Sequence, residues 1–499
     1  MNIKKNFFLI VPIYLFIYLI IPHTEYQPAD PGIKILQMRD LIDSGFSTFS
    51  ANYKARSFDA SLKYFPTKPP FAYLIKEQAY YVFPYFLSIF LSPFYALGGI
   101  YLLEFLSLLS GLLVIYICYL IANELTLDTP LKKLMILFLS LGSINSIYSF
   151  MFGEAIHASL LLTLSFYLLI KKDKLNKTWL FYFCAGVLSG ISVMLRIELA
   201  LFCFLLLIGT ILFRIYDKKS DLFYLSFGLA IPALVLVSAN YSITENILGL
   251  RGIEFLNYSG SAYPIKYRFI NEIKALFGSS TALGLFSAWP IFLFLVPFFI
   301  YQNKLQQTNS LKFTLFISAT FTLLVPILVK NADGSILGPR FAATVQPLLI
   351  LGTFKAIELL KANNKITFLI SKLRFFIYYS IFITIVGYVI LFYFLKMSKE
   401  LNLELDKNMT GEWIILRNDD LYSAVLPSYP KRVILEIDDS LEIENFLQKN
   451  KSNLPNTLSI ISSKPKNDIE KPVIIFQSFE LENTFTKKGF LVQNYKRKQ

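Results

Sequence analysis

Apolar runs of about twenty residues recur along this chain, and they limit what it can fold into more than any other feature. A backbone inside lipid has no water to bond to, so each such run must satisfy its own N–H and C=O groups as a helix. The runs fall at 7–22, 99–122, 132–151, 155–170, 178–195, 199–214, 221–241, 285–301, 312–329, 341–360 and 374–395. That makes about eleven expected spans. The composition agrees: 55% of residues are hydrophobic, with 48 Phe and 30 Tyr to supply lipid-facing and interfacial aromatics.

Charge sets the expected sidedness. Lys and Arg gather at 132–133, 171–174, 214–219 and 365–374, while the short connection near Gly153 has neither. The positive-inside rule makes the basic linkers cytoplasmic. The basic start Met1 to Lys5, followed by a run ending in Leu-Ile-Ile-Pro rather than small residues, reads as an uncleaved anchor with a cytoplasmic N-terminus. Odd parity then places the C-terminus outside. A net charge of +14 therefore serves topology and anionic lipid, and no nucleic-acid motif accompanies it. Cys118, Cys184 and Cys203 fall within spans and suggest neither a disulfide framework nor a metal site.

Two regions depart from the apolar pattern. The stretch 23–98 is a long outer loop holding Glu25, Asp30, Asp40, Asp43 and Asp59, with a basic, Pro-rich run from Tyr64 to Pro70. Beyond 395 the chain turns polar. Trp413 to Leu416, Val433 to Ile437, Leu458 to Ile461 and Val473 to Phe476 read as strands, with helical spacing over Leu441 to Lys449. Asp419, Asp420, Asp438 and Asp439 read as turn acids. The expected fold is an all-α polytopic membrane domain, 1–395, including the loop 23–98, followed by a small extracytoplasmic α/β domain at 396–499.

Chemistry is expected where acids and cations share the outer face. Asp30 begins a helical pattern as Asp-Pro-Gly with Ile35, Met38 and Ile42 at three-to-four spacing, so it serves as a cap. A carboxylate there also stands near the membrane surface, where it could take a proton from an acceptor hydroxyl. Glu154 opens a span with His157 three residues on, too few groups for a metal. Arg196 and Glu198 end another span and can pair with each other. Arg56, Lys68, Arg251, Lys266, Arg268, Lys330 and Arg340 are placed on the same face, where one or two could hold a lipid phosphate. Lys68 and Arg340 stand out because Pro or Gly neighbours fix their backbones.

The ordered set of Asp30, the helix ending at Ser44-Gly45, Tyr80 to Pro84, Leu91 to Gly99, Glu154, Gly186 to Gly190 with Arg196, Gly284 to Pro290, and Gly338 to Phe341 resembles the polytopic C-fold glycosyltransferases. These use polyprenyl-phosphate sugars, and the group includes protein mannosyltransferases and the aminoarabinose transferase. The resemblance implies inverting transfer of a sugar from that carrier to a lipid, glycan or protein on the outer face of a bacterial inner membrane. It makes Asp30 the catalytic base and Glu154 the assisting acid. Arg56, Lys68, Tyr81, Arg196, Arg251, Lys330 and Arg340 would then contact substrate or phosphate. Neither an Asp-Glu doublet nor an Asp-x-Asp is present, so no required metal or cofactor is expected. A transporter or lipid flippase, and a non-catalytic glycolipid-binding scaffold, are the rival readings.

Overall fold

The computed structural model describes residues 3–25, 27, 30–171, 178–253, 265–280, 282–328, 340–363, 368, 371–417, 419–463, 476–487 and 490–498. The chain forms two compact units. One comprises 1–21 and 101–391, the other 22–100 and 392–499.

The first unit is helical. Among the described residues of the whole chain, five helices are long and apolar enough to cross a membrane: Tyr85–Glu124, Thr178–Leu195, Lys219–Thr244, Asn309–Leu328 and Leu373–Asn408. Shorter apolar helices cover Leu9–Ile20, Glu154–Ile170 and Ile197–Leu212. Two of the expected spans are interrupted. The run 132–151 breaks at Gly142 and resumes as Ile144–Tyr148. The run 285–301 breaks at Trp289, which takes φ −131°, ψ 73° because the next residue is Pro290. Helix Tyr85–Glu124 is kinked at Gly99, whose φ of 57° and ψ of −150° suit only glycine, one residue from the boundary between the units.

Helices Thr178–Leu195 and Lys219–Thr244 pack at glycine contacts. A Cβ on Gly186 would overlap the Leu225 carbonyl oxygen, one on Gly228 would overlap that of Phe183, and one on Gly190 would lie 2.8 Å from Pro232 Cγ. Without side chains in between, the two backbones come close enough for dispersion to hold them in lipid. The far side of helix Lys219–Thr244 exposes Phe223, Phe227 and Leu234. Gly186→Ala is expected to cost about 1–3 kcal/mol by forcing the helices apart. The readout is the thermal midpoint in detergent against Gly153→Ala, where a Cβ would meet nothing within 4 Å. Equal midpoints for the two variants would contradict the packing argument.

The second unit joins residues 22–100 to the C-terminal residues 392–499. Its sheet has the order β4-β3-β5-β7-β6. Strands β3 (Trp413–Leu416), β4 (Val433–Glu436) and β5 (Thr457–Ser463) are parallel. Strands β6 (Phe479–Lys487) and β7 (Phe490–Arg497) add antiparallel. Helix Ser440–Lys449 crosses from β4 to β5, with Asp439 Oδ1 accepting the Leu441 N–H at its start. Of the expected strand Val473 to Phe476, residues 473–475 lie outside the described residues.

Loop side chains complete the core of this sheet. Ala55 is fully buried among Trp413, Leu435, Ile443 and Phe446. Phe58 packs on Trp413 at 4.7 Å and Tyr64 on Phe446 at 5.1 Å, ring to ring. The Glu436 N–H donates to the Tyr64 carbonyl at 2.9 Å, and Lys63 pairs with Glu442. The turn itself is organised by Asp59, whose carboxylate accepts from the Lys63 and Tyr64 amides and from Tyr53 and Ser61.

Candidate functional site

In the first unit a charged cluster forms where three segments end. Glu154 is the first residue of helix Glu154–Ile170, where an acid complements the helix dipole. Arg196 follows directly on helix Thr178–Leu195, so the glycine packing of that helix decides where its guanidinium stands. Arg196 Nε donates to Glu198 Oε1 at 2.6 Å, and its Nη1 lies 3.9 Å from Glu154 Oε1. Its side chain is only 10% exposed. Burial lowers the pKa of this guanidinium, and the Glu198 and Glu154 charges more than reverse that, leaving it raised. Phe341 carries both neighbouring cations, Arg196 at 5.3 Å and Arg340 at 4.9 Å from its ring centre.

Three further contacts fix the surroundings. Asn145 Nδ2 donates to the Ala343 carbonyl at 2.7 Å, and the Ile144 N–H donates to Gln346 Oε1 at 3.1 Å. A Cβ on Gly252 would sit 3.6 Å from Ile197 Cδ1, so the short helical segment 249–253, which holds Arg251, runs beside the Arg196 segment. Glu154, Arg196, Arg340 and the segment holding Arg251 thus belong to one unit, where the guanidiniums can grip an anion and the carboxylate orients Arg196. Lys330 lies outside the described residues.

In the second unit Asp30 is the first residue of helix Asp30–Asp43, within a residue of its expected place. In this helix Gly32 to Met38 are all buried. A Cβ on Gly32 would meet Leu426 Cδ1 at 2.7 Å, and Lys34 lies 4.6 Å over the Phe83 ring. Gln37 donates to the Phe83 carbonyl and accepts from Ser88, and Arg39 pairs with Glu25 while donating to the Tyr95 hydroxyl at 2.7 Å. These contacts hold the helix in place, which fixes Asp30 at its end.

The cations expected in this unit have protein partners. Lys68 pairs with Glu436 of β4, and Arg56 donates to the Glu77 carbonyl at 2.9 Å. Tyr81 is buried, and its hydroxyl donates to Asp40 Oδ2 at 3.1 Å.

Asp40 was named in the sequence only as one acid of the loop. It accepts from Tyr81 and from the Asn52 N–H at 3.0 Å, tying helix Asp30–Asp43 to β2 (Gln78–Tyr81) and to the 46–52 connection. Burial pushes its carboxyl up to about 6, against the pull of both hydrogen bonds. A raised acid supports the folded state only while both states are protonated. Stability is therefore lost as pH rises from about 4, where the unfolded chain ionises, through about 6. Asp40→Asn keeps an acceptor without the charge. It is expected to stabilise the protein by up to about 3 kcal/mol at pH 7.5 and by almost nothing at pH 4. Thermal midpoints at the two pH values check this, and an equal shift at both would contradict it.

Glu272 was not singled out in the sequence either. It sits in helix Ile265–Phe277, which exposes Phe269, Ile273 and Phe277. Both its oxygens are enclosed without a hydrogen-bond partner, and burial pushes it up to about 7. Its only sequence signal is that it is the one acid on a basic helix.

No protein-family model matches this chain. No curated protein matches it either. Solved structures do. The apo structure of ArnT from Cupriavidus metallidurans superposes with a TM-score of 0.58 at 13% identity, over 97% of this chain and 97% of that one. The same protein bound to undecaprenyl phosphate gives 0.55 at 12% identity, again over 97% of each. The chain has the GT-C glycosyltransferase fold. Within that fold, the Glu154 cluster and Asp30 are carried by separate units, each fixed by its own packing.

Proposed function

We propose that this chain is a membrane glycosyltransferase that takes a sugar from a polyprenyl-phosphate carrier and passes it to a hydroxyl of a lipid, glycan or protein. The observation that carries the reading is the pair Arg196 and Arg340 set on one aromatic ring beside Glu154, in a chain with the fold of a protein solved with undecaprenyl phosphate bound. A planar guanidinium offers paired donors to a phosphate, and two of them stabilise its leaving charge.

The transfer we assign is a single displacement. The acceptor oxygen attacks the anomeric carbon as the bond to the carrier phosphate breaks, and the hydroxyl proton passes to Asp30. Glu154 assists, and it orients Arg196. Arg340, Arg196 and Arg251 are assigned to the carrier phosphate. Arg56 and Lys68, on the other unit, are assigned to substrate, and Tyr81 acts through Asp40. We further propose about eleven spans with the N-terminus cytoplasmic, and transfer on the outer face. The bounds 1–395 and 396–499 stand as the proposed sequence domains. Nothing among the described residues favours a transporter or a silent scaffold.

Transfer of a radiolabelled sugar from an undecaprenyl-phosphate-linked donor by the purified full chain tests this. Labelled product that depends on the protein supports it. Net movement of the intact donor lipid across a vesicle, with no transfer, overturns it in favour of a flippase.

A further inference from the structure

His157 lies one turn into helix Glu154–Ile170, on the Glu154 face. Its Nδ1 is 2.9 Å from Ser110 Oγ on helix Tyr85–Glu124, while its Nε2 is enclosed and has no hydrogen-bond partner. Among the described residues the Ser110 hydroxyl meets no other acceptor, so it donates to Nδ1, and the ring proton then sits on Nε2 with nothing to receive it. Gln346 repeats the pattern. Its Oε1 is taken by the Ile144 N–H, and its buried Nε2 is left without a partner.

A buried donor left unmade destabilises the fold, and these two lie in the unit that carries Arg196 and Arg340. Segment 342–344 packs against the His157 helix, and the Arg196 and Arg340 guanidiniums flank the ring of Phe341 next to it. What such N–H groups lack is an acceptor. The acceptor-rich group that the two guanidiniums of the same unit would draw is a phosphate.

We propose that His157 Nε2–H is a neutral hydrogen-bond donor to a phosphate oxygen of the lipid carrier. The inference rests on the carrier-phosphate reading above and adds a binding group that carries no charge. It differs from the guanidiniums in needing only its tautomer, which Ser110 sets, rather than a counter-ion.

The test uses the full chain in detergent and undecaprenyl phosphate as the probe. H157L is expected to weaken binding about tenfold or more, as befits a lost hydrogen bond to a charged group. H157Q, whose amide N–H replaces Nε2–H, is expected to stay within about threefold of wild type. If H157L does not yield monodisperse protein, H157N takes its place, since it reaches Ser110 but withdraws the deeper donor. Unchanged affinity in H157L, or equal loss in H157Q and H157L, overturns the inference. A purely structural His157 lowers the thermal midpoint of H157L and leaves affinity alone. Displacement of the probe by equal concentrations of inorganic phosphate or of phosphatidylglycerol overturns the assignment to the carrier. No binding by wild type overturns the reading beneath it, a result distinct from wild-type binding that ignores His157.

Discussion

Asp30→Asn is expected to reduce sugar transfer by about 10²–10⁴-fold, the usual range for losing a positioned base. The substitution is nearly isosteric, and Asn serves a helix start as well as Asp does. The helix behind it is fixed by Lys34 on Phe83, by Gln37 with Ser88, and by Arg39 with Glu25 and Tyr95, none of which involves Asp30. Expression, detergent behaviour and thermal midpoint should therefore match wild type, so the deficit falls in turnover. Initial rates at saturating donor measure it. Transfer within about threefold of wild type would remove Asp30 from the chemistry and leave it a helix-start residue.

Arg196→Met should do the opposite, damaging the fold first. Its guanidinium is the shared partner of Glu198 at 2.6 Å and Glu154 at 3.9 Å. Taking it away removes the cation that these two largely buried carboxylates share. Breaking a buried pair from one side costs about 3–5 kcal/mol, and some remaining solvent access to both acids points to the lower end. The second substitution Glu198→Gln in that background should recover a good part of the loss, because it removes one stranded charge. Thermal midpoints of wild type, both single variants and the double variant close the cycle. Strict additivity would show that the pair contributes no coupling. Arg196→Lys keeps the charge but gives up the planar fork, and is expected to fall between.

The two expected effects separate because the residues are held differently. Asp30 stands at the end of a helix whose own burial is complete without it. Arg196 is itself part of the packing, at the end of a helix positioned by Gly186, Gly190 and Gly228.

Local signals were enough for much of this protein. Apolar runs located the long helices because a backbone in lipid has one way to satisfy itself; helix Thr178–Leu195 falls on its expected run, and Lys219–Thr244 overshoots its run by two or three residues at each end. Strands β3, β4 and β5 were legible because buried parallel strands are continuous β-branched runs. Strands β6 and β7 were not: Phe479–Lys487 and Phe490–Arg497 mix charged and polar residues with apolar ones, as a hairpin near a sheet edge can, and only the pairing of β7 with β5 and of β6 with β7 makes them strands. Asp40 and His157 share a similar limit. The burial of one, and the enclosed Nε2 of the other, arise from neighbours such as Tyr81 and Ser110, 41 and 47 residues away in the chain.

By itself, then, the sequence determined that the chain is a bundle of apolar helices with a small α/β appendage, and which acids and cations deserve attention. Tertiary structure alone decided that residues 22–100 share a core with the C-terminal sheet, that Arg196 and Arg340 meet on Phe341, and that Lys68 is held by Glu436. The physical reason is range. Hydropathy and helix periodicity act within a turn or a span, whereas ion pairs and ring contacts join residues hundreds of positions apart, and no local pattern encodes their partners.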